Sequence, residues 1–166
     1  TPFRIKIPDA KFSRLGHVGQ SYMISQWYPK PAVYDKDGWH TMPYLSQGEF
    51  YSEFGSFLVD ITVPANYVVA ASGYLKTPSE VEFINKKIKT ESNQINFDKQ
   101  NTFPESESSS KSIRFALDSV HDFAWFADKR FRIVSKVIKL ASGHEVECRA
   151  YYTPANSYVW HRAADY

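Results

Sequence analysis

The clearest periodicity along the chain begins at Phe57. Phe57, Val59, Ile61 and Val63 alternate with Leu58, Asp60 and Thr62, the period of two expected of a strand with one face in a core. Pro64-Ala65-Asn66 predicts a turn. Tyr67 to Ala71 predicts a second strand, closed by Ser72-Gly73. Ile113 to Leu117 and Val120 to Phe126 read as two more strands. Phe131 to Leu140 and Glu145 to Tyr152 flank Ala141-Ser142-Gly143-His144 and predict a hairpin. Upstream, Arg4 to Pro8 alternates as a short strand, Lys11 to Gly19 reads as a loop, and Val18 to Trp27 as a strand.

One stretch changes the period. Thr77-Pro78-Ser79-Glu80 has the T-x-x-E form of a capping box, with proline at the first helical position. Val81, Ile84 and Ile88 follow at i, i+3 and i+7, which predicts a short helix from Pro78 to about Thr90. Lys86, Lys87 and Lys89 fall on its solvated face. Pro29 to Gly48 holds three prolines and an Asp37-Gly38 turn signal, which exclude regular structure. A loop of that length points to function or an interface, and Tyr34, Trp39 and Tyr44 argue against disorder. Glu91 to Lys111 is polar and loop-like. Five serines between Ser106 and Ser112 predict mobility there. Together the pattern predicts a mainly β fold: an antiparallel β-sandwich or saddle-like pair of sheets, with one short helix near 78–90.

Composition narrows the classes. A chain of 166 residues fits one domain, and 43% hydrophobic with 16% aromatic residues can bury a core rich in strands. Twenty basic against 18 acidic residues leave a net charge of +2, which argues against nucleic acid as the main partner. Cys148 is the only cysteine, so neither an internal disulfide nor a Cys-based zinc site can form. No run approaches the roughly 18 apolar residues of a membrane span, and no signal peptide is visible. The chain opens at Thr1 directly into Phe3-Arg4-Ile5-Lys6-Ile7, so it is expected to be a piece of a longer protein.

Two blocks carry a resemblance. The first reads Q-W-Y-P-K-P-A-V-Y-D from Gln26 to Asp35, then G-W-H, G-E-F-Y and P-A-N-Y-V-V-A-A-S-G, ending at Gly73. The second is Val120-His121-Asp122-Phe123-Ala124-Trp125. These resemble the N-terminal β domain of the gluzincin zinc aminopeptidases, the aminopeptidase N and leukotriene hydrolase group, in its bacterial branch. The resemblance covers roughly Tyr22 to Gly73 and Ser112 to Phe131. It implies a non-catalytic N-terminal domain over 1–153 and an exit linker over 154–166 toward an absent catalytic domain. By the same resemblance, the intact parent would hydrolyse N-terminal residues from peptides. This domain would form one wall of the cleft, with the catalytic domain of the same chain and the peptide substrate as its partners. The compartment is not set by these residues. Relatives of this branch favour an extracytoplasmic location, and a cytoplasmic one stays open.

The chemistry of the candidates follows. Zinc in this family needs H-E-x-x-H on a helix, where residues four apart share a face. Among His17, His40, His121, His144 and His161 no two are four apart. His144-Glu145-Val146-Glu147-Cys148 imitates the start of the motif, but in a hairpin, where positions i and i+4 lie about 13 Å apart. The family's G-A-M-E-N signature is also missing. No catalytic or metal-binding residue is therefore expected here, and zinc would belong to the parent. Ser25-Gln26-Trp27-Tyr28 matches the serine and glutamine of an S-Q-x-Q motif. By resemblance, Gln26 would line the pocket for the substrate's first residue and Tyr28 would stand where a polar residue helps bind the amino group. A phenol can accept a hydrogen bond but brings no carboxylate charge. The alternative for Gln26 is a turn amide that satisfies backbone groups. Glu49 falls where relatives carry an acid before a proline turn, with capping or loop pairing as its main reading and substrate contact as the other.

The rival reading of the whole chain is an independent β-sandwich that binds glycans or a protein. Trp27, Trp39, Trp125 and Trp160 could supply its stacking face, although in a chain this aromatic, core and inter-domain packing is the more common explanation. His121-Asp122 lacks a nucleophile in a recognisable setting, and neighbouring strand residues face opposite ways.

Overall fold

The computed structural model describes residues 1–9, 14–45, 47–48, 50–91 and 102–166. In chain order the elements are β1 (Leu15–Val18), β2 (Ser21–Ile24), β3 (Val33–Asp35), β4 (Gly38–His40), β5 (Gly55–Pro64), β6 (Val68–Ala71) and β7 (Tyr74–Leu75). Helix α1 (Pro78–Glu91) follows, then β8 (Ser110–Val120), β9 (Trp125–Asp128), β10 (Arg132–Lys139), β11 (Glu145–Tyr152) and the one-turn helix α2 (Ser157–Trp160). The fold is mainly β, with 41% of the described residues in strands, as the alternation predicts.

Two sheets make the body. One has four strands in the order β1-β2-β9-β6, the other three in the order β5-β8-β7, and every pairing is antiparallel. The alternation in β5 decides which face turns inward. Ile61 is buried, with Phe57, Val59 and Val63 packed beside it, while Leu58, Asp60 and Thr62 face water. The inner face meets Tyr67, Val69, Ala127 and Phe123, together with Ile113 and Phe115 of β8. On the outer face, Asp60 pairs in register with Arg114 through two hydrogen bonds of 2.8 and 2.7 Å. β6 is buried on both faces. Val69 points between the sheets while Val68 points the other way, toward Ile84 of α1 and Ile133 of β10. This double burial is why β6 reads as a continuous apolar run rather than an alternating one.

Helix α1 starts at Pro78 as predicted, and Ile84 and Ile88 turn inward. The capping box does not close, however. The Thr77 hydroxyl accepts from the backbone N–H of Arg114 at 2.8 Å, and the Glu80 carboxylate takes both bonds from Lys111 Nζ at 2.8 Å. The same residues tie the helix to β8 instead of capping it. Lys87 is also not solvated: it pairs with Glu91 at 2.5 Å, and Glu91 in turn accepts the Ile133 N–H.

Several boundaries differ from expectation. Arg4 to Pro8 forms no strand; only Asp9 bridges to His17. Leu15–Val18, expected as loop, is β1. Ile113–Leu117 is the middle of a longer β8, and the second strand there begins only at Trp125. The Pro29–Gly48 stretch does contain regular structure, a small hairpin in which Val33, Tyr34 and Asp35 pair with His40, Trp39 and Gly38. Three-residue strands are too short to show a period. Segment 154–166, expected as an exit linker, packs on the body of the domain. Ser157 is buried, with its hydroxyl bonded to Arg132 at 3.1 Å, and Lys136 pairs with Asp165 at 3.2 Å. The serine-rich segment, expected to be mobile, is exposed but anchored. Asn66 bonds Glu105 and Glu107, Lys129 bonds Pro104 and Ser106, and Ser110 to Ser112 open β8.

Gly73 follows β6 with φ +87°, in the left-handed region that favours glycine. A Cβ there would stand 2.7 Å from the Ala116 carbonyl oxygen of β8. Gly73→Ala is expected to destabilise the fold by about 1–3 kcal/mol, measured by urea unfolding. A change below a few tenths would show that the turn relaxes freely.

Candidate functional site

The site is built where two distant stretches cross. After β2 the chain passes through Gln26-Trp27-Tyr28-Pro29-Lys30-Pro31. Tyr28 and Lys30 each precede a proline, which biases them toward extended backbone. In an extended chain alternate residues share a side. Accordingly Gln26, Tyr28 and Lys30 all reach one carboxylate, that of Asp122, in the short link between β8 and β9.

That carboxylate is fully used. Oδ1 accepts the Tyr28 hydroxyl at 2.9 Å and the Phe123 backbone N–H at 2.8 Å. Oδ2 accepts Gln26 Nε2 at 2.9 Å and Lys30 Nζ at 2.6 Å. Four donors on two oxygens match the roughly four lone-pair sites a carboxylate offers. Trp27, with the opposite parity, donates its indole N–H to the Phe123 carbonyl at 2.9 Å. Its ring packs edge-on against Tyr28, and Tyr28 against Phe57. Lys30 also lies 5.4 Å over the Phe50 ring. Burial, reinforced by the hydrogen bond and charge of Asp122, pushes the Tyr28 phenol well above its ordinary ionisation range. It stays a neutral O–H donor.

Next to this cluster sits the β3–β4 hairpin. Asp35 accepts His40 Nε2 at 2.8 Å, the Asp37 N–H at 2.9 Å and the Tyr51 hydroxyl at 3.4 Å. The bonds from His40 and Asp37 hold the Asp35 carboxyl below its usual range. A cleft of about 230 Å³ runs between Lys30–Ala32 and His40–Met42, with Phe50 and Tyr51 in its wall. Around it the chain leaves large apolar groups in water. Tyr34 is 65% exposed, Trp39 69% and Phe54 65%, with Met42, Tyr44, Leu45 and Tyr51 also exposed. Phe54 stacks on His121 at 4.0 Å.

The predicted residues fall as follows. Gln26 and Tyr28 come together on Asp122. Glu49 lies outside the described residues. His144 is exposed at the hairpin between β10 and β11. Trp27 and Trp125 pack against the core, whereas Trp39 and Trp160 are exposed. His121 and Asp122 face different partners, so they make no pair. The residue not anticipated as the hub is Asp122, with Lys30 beside it. Both lie in stretches that stand out in the sequence, but their meeting is a contact across more than ninety positions.

The paired histidines are missing, and among the described residues no group of three or more His, Cys, Asp or Glu converges to hold an ion. Also among the described residues, no helix is long and apolar enough to cross a membrane. Comparison with known proteins returns no matching family model, no matching curated protein and no matching solved structure.

Proposed function

We propose that this chain is the non-catalytic N-terminal domain of a zinc aminopeptidase, which hydrolyses N-terminal residues from peptides, and that it forms one wall of the active-site cleft. The observation that carries the reading is the set of exposed rings Tyr34, Trp39, Tyr44, Tyr51 and Phe54 in the chain between the Lys30 and Asp122 arms of the cluster. A domain whose core is filled by Ile61, Ile113 and Phe123 has no need to leave Tyr34, Trp39 and Phe54 in water. So many large apolar side chains exposed from one segment mark an interaction surface. The two blocks that resemble the gluzincin domain are also the two that cross at Asp122, which supports the same reading. Zinc and hydrolysis would belong to the catalytic domain of the parent.

The glycan-binding alternative would need a flat platform. The most exposed ring pair, Tyr34 and Trp39, is tilted by 56° at 4.9 Å between centroids, a poor surface for a sugar ring. The full product of the gene, loaded with zinc, is expected to hydrolyse aminoacyl p-nitroanilides and to lose this activity to a chelator. Residues 1–166 alone should hydrolyse none and retain no zinc after dialysis. A full product without aminopeptidase activity, or stoichiometric zinc on the isolated chain, would overturn the proposal.

A further inference from the structure

A cavity of about 400 Å³ lies between the two sheets, and none of the residues that hold Asp122 lines it. Tyr22 of β2 and Trp125 and Ala127 of β9 form one wall, and Val63 and Pro64 at the end of β5 form the other. Its size and its aromatic and aliphatic lining fall within the range of small-molecule sites, roughly 300–1,000 Å³. Ile7 and Trp125 also line a second cavity of about 150 Å³, walled by Phe3 and Trp27. The apolar surface therefore extends beyond the first cavity in one direction.

The polar groups of the wall gather around Lys129. This side chain is buried, with 7% exposure. Its ammonium donates to Gln20 Oε1, to the Pro104 carbonyl and to Ser106 Oγ, the last at 3.1 Å, and it lies 5.4 Å from the centre of the Tyr67 ring. Every one of these partners is neutral. The neighbouring carboxylate, Asp128, is taken by Arg130 at 2.7 Å. Lys129 is thus satisfied in hydrogen bonds but not in charge, an expensive state for a buried ion. Gln20, Tyr67 and Ser106 also line the cavity, so the uncompensated charge stands directly behind its wall. With Oε1 held by Lys129, the polar group that Gln20 has left is its NH₂, a donor.

We propose that this cavity binds an apolar carboxylic acid of the fatty-acid class. The carboxylate would lie at the Gln20 and Ser106 end, in front of Lys129, and the tail against Val63, Trp125 and Ile7. Gln20 supplies the contact and Lys129 the compensating charge one layer behind it. An alcohol of the same length gains the same burial without the charge. A peptide fits less well, because its backbone amides would face a wall made mostly of rings and aliphatic chains. The proposal goes beyond the wall-domain reading and does not depend on it.

The test is titration calorimetry of the full gene product with sodium octanoate and with octanol. Octanoate is expected to bind saturably, and octanol about ten-fold more weakly or worse. Val63→Phe, which fills the cavity, should weaken octanoate about ten-fold. Lys129→Met should bring octanoate down to the affinity of octanol while leaving octanol itself within about two-fold, a selective loss that general disruption of the fold would not produce. If that variant does not fold, Gln20→Leu at an exposed position removes the amide alone, and it too should narrow the gap between acid and alcohol. Absence of saturable octanoate binding overturns the proposal. So does equal affinity for acid and alcohol, or octanoate binding that a folded Val63→Phe protein retains unchanged.

Discussion

Replacing Arg130 by Met is expected to lower stability at neutral pH by about 3–5 kcal/mol, the cost of leaving one partner of a buried ion pair alone. The Asp128 side chain is 0% exposed and that of Arg130 8%. Arg130 binds the carboxylate through Nε at 3.0 Å, Nη2 at 2.7 Å and its own backbone N–H at 2.7 Å. Its guanidinium also lies 3.6 Å over the Phe103 ring, a contact the methionine chain partly keeps, so most of the loss falls on the carboxylate. Burial pushes the Asp128 carboxyl up, but Arg130 and the Ser21 hydroxyl pull it further down, and its net position is below the ordinary range. In the wild type this pair therefore stabilises the fold above the unfolded value of about 4. That contribution is lost as pH falls through the lower folded value. In the variant, burial acts without the guanidinium and the carboxyl moves up. The penalty is then present at neutral pH and relieved by protonation as pH drops. The gap between wild type and variant should be widest near pH 7 and narrow toward pH 4 in urea titrations. An equal gap at both values, or one below about 1 kcal/mol, would mean that water or backbone donors replace the guanidinium. Asp128→Asn added to the variant should recover much of the loss, because it removes the stranded charge.

What the sequence makes legible is what is local. β5 is visible because its odd positions from Phe57 to Val63 are apolar while Asp60 and Thr62 between them are polar, and a sheet with one wet face imposes that rule even though Leu58 breaks it on the outer side. The β10–β11 hairpin is visible because a Gly-containing turn separates two apolar runs in register. Helix α1 announces its start at Pro78. Three kinds of feature escape. Strands of three or four residues such as β1, β3 and β4 carry too few positions to establish a period. The β3–β4 hairpin is signalled only by Asp37-Gly38, inside a stretch whose prolines argue the other way. The capping-box residues Thr77 and Glu80 have two possible sets of partners, and the tertiary set, Arg114 and Lys111, wins.

The site was legible only in halves. Gln26 and Tyr28 stand out by resemblance, and His121-Asp122 stands out as an ionisable pair. Nothing in a single sequence says that the second stretch supplies the counterpart of the first. Spacing did hold one usable signal. Gln26, Tyr28 and Lys30 sit at i, i+2 and i+4 with prolines after the second and third, which in extended backbone puts three donors on one side. Three donors on one side call for an acceptor, and the short downstream block from Val120 to Trp125 contains one carboxylate, Asp122.

Phe123 is the residue on which core and site both depend, and Phe123→Ala is expected to cost about 3–5 kcal/mol. Its side chain is 0% exposed. The ring stacks on Phe57 at 5.9 Å and meets Phe115 edge-on at 6.4 Å, bridging the inner face of the three-stranded sheet to the link that leads into β9. Its backbone matters as much. The N–H holds Asp122 Oδ1 and the carbonyl holds the Trp27 indole. Removing the ring leaves a cavity the size of a phenyl group under this link, with little nearby that can collapse into it, because Phe57 and Phe115 are fixed in their own strands. For a chain of this length the loss corresponds to roughly 6–20 °C in melting temperature. Phe123→Leu, which refills part of the volume, should cost about half as much or less. The link carries Asp122, so loosening it should also disturb the side chains that converge there. Tryptophan fluorescence gives a separate reading, since Trp27 loses a fixed hydrogen-bond partner. The alanine variant is expected to show altered Trp27 emission well below its melting temperature, tested against a Trp27→Phe control. A variant with a melting temperature within 2–3 °C of wild type would show that the two sheets close without the ring. A destabilised variant with unchanged Trp27 emission would show that the link keeps its course independently of the core, and that Asp122 is held by its four donors alone.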